Sequence, residues 1–179
     1  MYPSMTTRRL TLRPPAVRDV ERLVELLDDY DIARMTSRIP HPYRRQDALS
    51  WLSSLSADKE RAYAAFLGAE LIGVGGYVLR KDLATAEIGY WIGKPYWGRG
   101  LASEIASALV AHGFEDLHLD QITANHAFDN PASQRVIEKC GFERTGTRSM
   151  RAVSRGAEVE IWTYALTRGR ASELGLMPS

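Results

Sequence analysis

The chain has 179 residues, 45% hydrophobic and 25% charged, and a formal net charge of +1. That length suits one domain with a sizeable core, and the near-neutral charge excludes a global attraction for nucleic acid or an anionic membrane surface. The single cysteine, Cys140, excludes an intramolecular disulfide framework, and no apolar stretch approaches the ~20 residues of a membrane span.

The first residues are interrupted by Arg8, Arg9 and Arg13 and lack the apolar core of a signal peptide, so a soluble cytoplasmic protein is expected. Residues 9–13 alternate polar and apolar and predict a first strand, closed by Pro14 and Pro15. Val20, Leu23, Val24 and Leu27 recur at helical spacing over residues 18–27. Residues 28–38 predict a short helix and loop, and Leu49, Leu52 and Leu55 mark a second amphipathic helix over 46–55. Strands are predicted over 62–67 and 71–79, joined as a hairpin at Gly68, and a further strand over 84–92.

A long helix is predicted from Gly98 to about Phe114, with Ile105, Ala108, Leu109 and Ala111 on its apolar side. Residues 121–127 read as a strand. Asn130-Pro131 opens a helix with a good N-cap and a proline at its first position, and Cys140-Gly141 closes it. Strands over 142–151 and 158–166 follow, and residues 168–179 carry no packing pattern and read as a mobile tail. The length and the lack of a linker or repeat predict a single domain over 1–167, and three consecutive strands within an otherwise interleaved order predict a mixed α/β sheet flanked by helices.

The chemistry concentrates between the strand over 84–92 and the long helix, in Lys94-Pro95-Tyr96-Trp97-Gly98-Arg99-Gly100-Leu101-Ala102-Ser103. A Gly-x-Gly turn entering a helix leaves backbone N–H groups unpaired at the positive end of the helix dipole, which suits an anion such as a phosphate. A tight strand–helix connection is the plainer reading of the same turn. No P-loop is present. Gly73-Val74-Gly75-Gly76 lies within a strand and reads as close packing or a bulge. No His, Cys and Asp grouping has metal-ligand spacing.

With residues 86–92, 96–102 and 130–142 the chain resembles the GNAT superfamily of acyl-CoA-dependent N-acyltransferases, and within it the RimJ/RimL-like group that acetylates N-termini of ribosomal proteins. Residues 9–13 and 164–166 fit as well. The resemblance implies the GNAT fold with a mostly antiparallel central sheet, acetyl-CoA as cosubstrate, and direct attack of a neutral amine on the thioester. It assigns the pyrophosphate donors to Gly98, Arg99, Gly100, Leu101 and Ala102, with a hydroxyl contact from Ser103. Pro95 stands where the family carries Gln or Arg, upstream of those donors.

The resemblance further implies that Tyr90, Trp91 and Ile92 hold the pantetheine arm through their backbone, with Trp91 lining the acceptor channel or serving only as packing. It implies that Asn130 contacts the cofactor and that the Ser133 hydroxyl assists the leaving thiolate, although both positions also suit a helix N-terminus. Relatives carry a tyrosine one turn later, at Ile137 here. Glu87 is the first candidate for general base and His126 an outside one, each with an ordinary strand role as the alternative; Cys140 reads as packing. No acid lies at residues 150–153, where some ribosomal-protein acetyltransferases place a glutamate.

The expected activity is therefore acetyl transfer to a primary amine, preferably an α-amino group of a protein or peptide. A small amine such as an aminoglycoside, polyamine or amino acid is the alternative acceptor, and succinyl an alternative acyl group. A CoA-binding module without turnover is the alternative of another class. No nucleic acid or membrane partner is expected, and a homodimer is left open.

Overall fold

The computed structural model describes residues 2–80 and 84–176. Its strands are β1 (Met5–Thr6), β2 (Leu10–Arg13), β3 (Glu60–Leu67), β4 (Glu70–Leu79), β5 (Thr85–Ile92), β6 (Gln121–Ala127), β7 (Glu143–Ala152) and β8 (Ala157–Thr167). The helices are α1 (Val20–Leu27), α2 (Tyr30–Ala33), α3 (Arg45–Ser54), α4 (Leu101–Glu115), α5 (Pro131–Lys139) and α6 (Arg168–Glu173). The strands form one sheet in the order β1-β2-β3-β4-β5-β6-β8-β7. Every neighbouring pair is antiparallel except β5 with β6. This is the mixed sheet flanked by helices that the element order predicts, with the mostly antiparallel pairing that the resemblance implies.

Side-chain spacing explains the layering. On α1, Val20, Leu23, Leu26 and Leu27 fall on one face and are buried. On α4, Leu101, Ile105 and Leu109 are at most 1% exposed, and each contributes about 1.5–3 kcal/mol by burial. The β4 glycines let α4 and β3 approach closely. A Cβ on Gly75 would stand 2.4 Å from Ile105 Cγ2, and one on Gly76 would stand 2.3 Å from the Arg61 carbonyl oxygen. The Tyr77 hydroxyl donates to the Leu109 carbonyl and ties β4 to α4.

Strand β1 is not among the predicted elements, and three further details differ from the sequence reading. The long helix begins at Leu101, because Gly98 and Gly100 hold φ of +72° and +71° and cannot be helical. Its buried side runs through Ile105, Ala106, Leu109, Val110 and Phe114, whereas Ala108 and Ala111 are half-buried. Residues 168–176 are not patternless. Thr167 caps α6 by accepting from the Arg170 N–H, and Ala171 is fully buried. Arg168 donates to the Phe114 and Leu119 carbonyls at 2.8 Å each. Leu174 lies so close to Gly141 that a Cβ there would come within 2.5 Å of it. Residues 177–179 of the expected tail lie outside the described residues.

Candidate active site

The one parallel pairing in the sheet is short. β5 meets β6 only at Thr85–Gln121, Ala86–Ile122 and Glu87–Thr123. Beyond Glu87, β5 continues along β4 to Ile92, while β6 continues along β8 to Ala127. The two strands part, and residues 88–92 face a fork. Cavities of about 510 and 470 Å³ lie at the fork, and both are lined by Thr36, Tyr90, Trp91 and Ser133.

The larger cavity ends at the glycine turn. Gly98, Arg99, Gly100, Leu101, Ala102 and Ser103 all line it. The first N–H of α4 to find an intrahelical partner is that of Glu104, which donates to Gly100 O at 3.2 Å. The N–H groups ahead of it are left for an anion, at the positive end of a long helix. A Cβ on Gly98 would meet nothing within 4 Å. Both glycines are required by their positive φ, and the turn is open to a ligand.

Arg9, on the turn before β2, fastens this loop. It donates from Nη1 to the Arg99 carbonyl at 2.9 Å and from Nε to Glu104 Oε2 at 2.6 Å. Burial would raise the Glu104 carboxyl, but hydrogen bonds from Thr7 and Arg9 outweigh it and hold its pKa below the usual range. Trp97 donates its indole N–H to the Ile92 carbonyl at 2.7 Å. One backbone acceptor of the expected pantetheine-binding run is thereby satisfied within the protein.

At the junction, the Tyr90 hydroxyl lies 3.0 Å from Ser133 Oγ. Burial pushes the Tyr90 phenol well up, and the hydrogen bond with Ser133 offsets only part of that. Tyr90 is therefore protonated at neutral pH. Asn130 lines the larger cavity while its Oδ1 accepts from the Ser133 N–H at 3.1 Å, so it acts as the N-cap of α5. Trp91 packs against both hydrophobic clusters and borders both cavities.

The smaller cavity has a floor set by strand register. Glu60, Val78 and Glu87 stand opposite one another across β3, β4 and β5. The next row is Ala62, Gly76 and Gly89, and the next Ala64, Val74 and Trp91. Directly opposed residues share a face, so the floor passes from a row with two carboxylates, over a row of small residues, to an aromatic wall. Glu60 is held by Arg38 through two hydrogen bonds of 2.8 Å. Glu87 has Arg80 and Arg148 each at 3.5 Å.

An arch closes over the junction. Val153 N–H, on the β7–β8 turn, donates to the Ser37 carbonyl at 2.9 Å, and Arg155 Nε donates to the Arg34 carbonyl at 2.8 Å. Arg155 also grips Asp129 with two bonds of 2.9 Å. That guanidinium holds the Asp129 carboxyl below the usual carboxylate range.

His126 lies outside both cavities' linings. Its Nδ1 faces the Ala127 carbonyl at 2.8 Å and must carry the proton, leaving Nε2 to accept from the Tyr164 hydroxyl at 3.0 Å. Cys140 is buried beside Ser107, and burial pushes its thiol up, which suits packing. The sequence reading missed the Tyr90 hydroxyl, Glu60, Arg9 and Arg155. Glu60 was accessible only through register; the others depend on contacts distant in sequence. Among the described residues no cluster is suited to a metal, and no helix is long and apolar enough to cross a membrane.

The acetyltransferase (GNAT) domain family matches residues 9–143. The chain is 29% identical over 177 residues to the uncharacterized N-acetyltransferase YoaA of Bacillus subtilis, covering 95% of this chain and 99% of that protein. It is 32% identical over 111 residues to the ribosomal-protein-serine acetyltransferase of Escherichia coli, covering 59% of this chain and 62% of that one. The fold superposes on RimL, a ribosomal alpha-N-protein acetyltransferase in complex with coenzyme A, with a TM-score of 0.79. The identity there is 18%, over 91% of this chain and 96% of that one. The matched region contains the glycine turn, the fork and the whole segment from Asn130 to Phe142, and the chain belongs to the GNAT acetyltransferases, which use acetyl-CoA as cosubstrate.

Proposed function

We propose that the chain acetylates the α-amino group of a protein or peptide. The observation that carries this reading is the junction at which two cavities share Thr36, Tyr90, Trp91 and Ser133. One cavity contains the phosphate-binding turn and suits the donor; the other opens between α3 and the sheet and suits an amine. Acetyl-CoA supplies an activated acyl group and a thiolate leaving group. The acceptor nitrogen forms a bond to the acyl carbon as the carbon–sulfur bond breaks, with no acyl-enzyme stage. The departing thiolate accepts a hydrogen bond from Ser133, whose hydroxyl Tyr90 aims, and is finally protonated through water by the proton that the amine gives up, so no serine alkoxide is left. Glu87, on the acceptor floor, attracts the ammonium form and receives the amine proton, directly or through water.

Proton availability favours an α-amine. With a pKa near 8, about a tenth of such groups are neutral at pH 7, against roughly one in two thousand for a lysine near 10.4. The similarity to proteins named as ribosomal-protein acetyltransferases supports the same class of acceptor. A thiol-release assay with acetyl-CoA across a panel of peptides and small amines tests it. Peptides with a free N-terminus should outpace N-blocked lysine peptides and polyamines. Faster turnover of a small amine would overturn the acceptor assignment.

A further inference from the structure

Strand glycines in β4 and β5 fall into two kinds. A Cβ on Gly73 would come within 2.3 Å of the Trp91 carbonyl oxygen, one on Gly75 within 2.4 Å of Ile105, and one on Gly76 within 2.3 Å of the Arg61 carbonyl oxygen. Packing demands glycine at each. Gly89 is different. It sits in the middle of β5, a Cβ there would meet nothing within 4 Å, and its φ lies outside the positive range. Glycine inside a strand costs about 0.5–1 kcal/mol relative to alanine, and nothing among the described residues requires it at this position.

What surrounds Gly89 is a cavity. The residue is exposed, lines the acceptor cavity, and is the centre of the fork's floor. Its neighbours on the same face are Glu87 and Trp91, each two residues away along β5 and so roughly 7 Å distant. The last β5–β6 pair is Glu87 with Thr123, so Gly89 lies just past the point where the strands separate. An amine held near Glu87 and directed to the junction carries its adjacent carbon over Gly89.

We infer that Gly89 is a specificity-determining position, a gap that admits an acceptor whose reacting nitrogen sits on a substituted carbon. This rests on the reading that the chain acetylates an amine. A lysine side chain or an N-terminal glycine brings an unbranched CH₂ to that place. The N-terminus of any other residue brings a carbon bearing both a side chain and a carbonyl, and only the second kind needs the space glycine leaves.

The test is Gly89→Ala, assayed with acetyl-CoA and matched peptides beginning with Gly, Ala or Ser, and with glycinamide and alaninamide as small-amine counterparts. A misplaced methyl group in a pocket changes kcat/KM by about 10–200-fold. The expected result is a loss in that range for the Ala and Ser peptides and for alaninamide, and a smaller loss for their Gly counterparts. CoA affinity should match wild type, and the melting temperature should be no lower, rising by up to about 4 °C as alanine replaces a strand glycine. Equal kcat/KM values in variant and wild type, or equal losses for both acceptor kinds, would overturn the inference. So would a weakened CoA affinity, which would assign the gap to the donor. Wild-type protein inactive on every amine would instead sink the acetyl-transfer reading itself, and this inference with it.

Discussion

Tyr90 and Ser133 meet by their hydroxyls at 3.0 Å, across the gap between β5 and the first turn of α5. Neither residue is a neighbour of the other in sequence, and each belongs to a different wall of the fork. Their contact joins the strand expected to guide the donor to the helix expected to assist its leaving thiolate. A buried phenol with a raised pKa stays a hydrogen-bond donor well above neutral pH. When it donates to Ser133 Oγ, the serine proton is free to point into the junction.

Ser133→Ala should lower turnover about 100-fold, within the range for loss of a general acid, while leaving CoA affinity near wild type. Tyr90→Phe removes only the aiming hydrogen bond and should cost roughly fivefold, the equivalent of about 1 kcal/mol. Steady-state kinetics beside a CoA titration separates these. Full turnover by Tyr90→Phe would remove the phenol from the reaction path.

At Gly100 the backbone φ of +71° excludes a β-branched side chain without strain. Gly100→Val should destabilise the fold by about 1–2 kcal/mol and abolish CoA binding, because the turn can no longer present its N–H groups. Circular dichroism and calorimetric titration on the same sample provide the check. Wild-type affinity in a folded variant would show that the phosphates bind elsewhere.

Arg9 touches the same turn from outside. Arg9→Gln breaks its contacts with the Arg99 carbonyl and the Glu104 carboxylate, so CoA should bind roughly fivefold more weakly. The prediction is specific to the donor: KM for the amine should not move.

Protonation of Asp129 should loosen the arch. Its folded pKa lies below the ordinary value because Arg155 holds the carboxylate, so its contribution to stability is complete above pH ~4 and is lost as pH falls through the folded value. Asp129→Asn should melt below wild type at pH 7, and the difference should shrink as the pH is lowered past 4. A difference constant from pH 7 to pH 3 would show that the Arg155 pair contributes nothing.

Local sequence carried the fold wherever periodicity was strong or a punctuating residue was present. The helix over Pro131–Lys139 is bracketed by Asn130 and by Gly141 at φ +85°, and both signals are local. α6 escaped because its six residues bury chiefly Ala171, too few apolar positions for a period to show. The glycine turn was legible because its chemistry is local: unpaired N–H groups follow from backbone shape. The acceptor side was not. Glu60 and Glu87 flank Val78 only once β3, β4 and β5 are in register, and spacing along the chain holds no trace of that row. The Arg155–Asp129 clasp likewise depends on the β7–β8 turn folding back over residues 34–37.

The parting of β5 from β6 also bears on solubility. An unpaired strand is a template for other chains, and most proteins blunt such edges with charge or irregularity. The outermost strand β7 follows that practice, with Arg144, Arg148 and Arg151 along it and a register shift beside Gly146. The open stretch of β5 needs no such defence. It lies between two strands of its own sheet, where a slender chain end can enter but another sheet cannot pair edge to edge. Nature's hazard at a rim becomes a reusable docking rail when moved to the interior, available to a slender ligand and closed to aggregation.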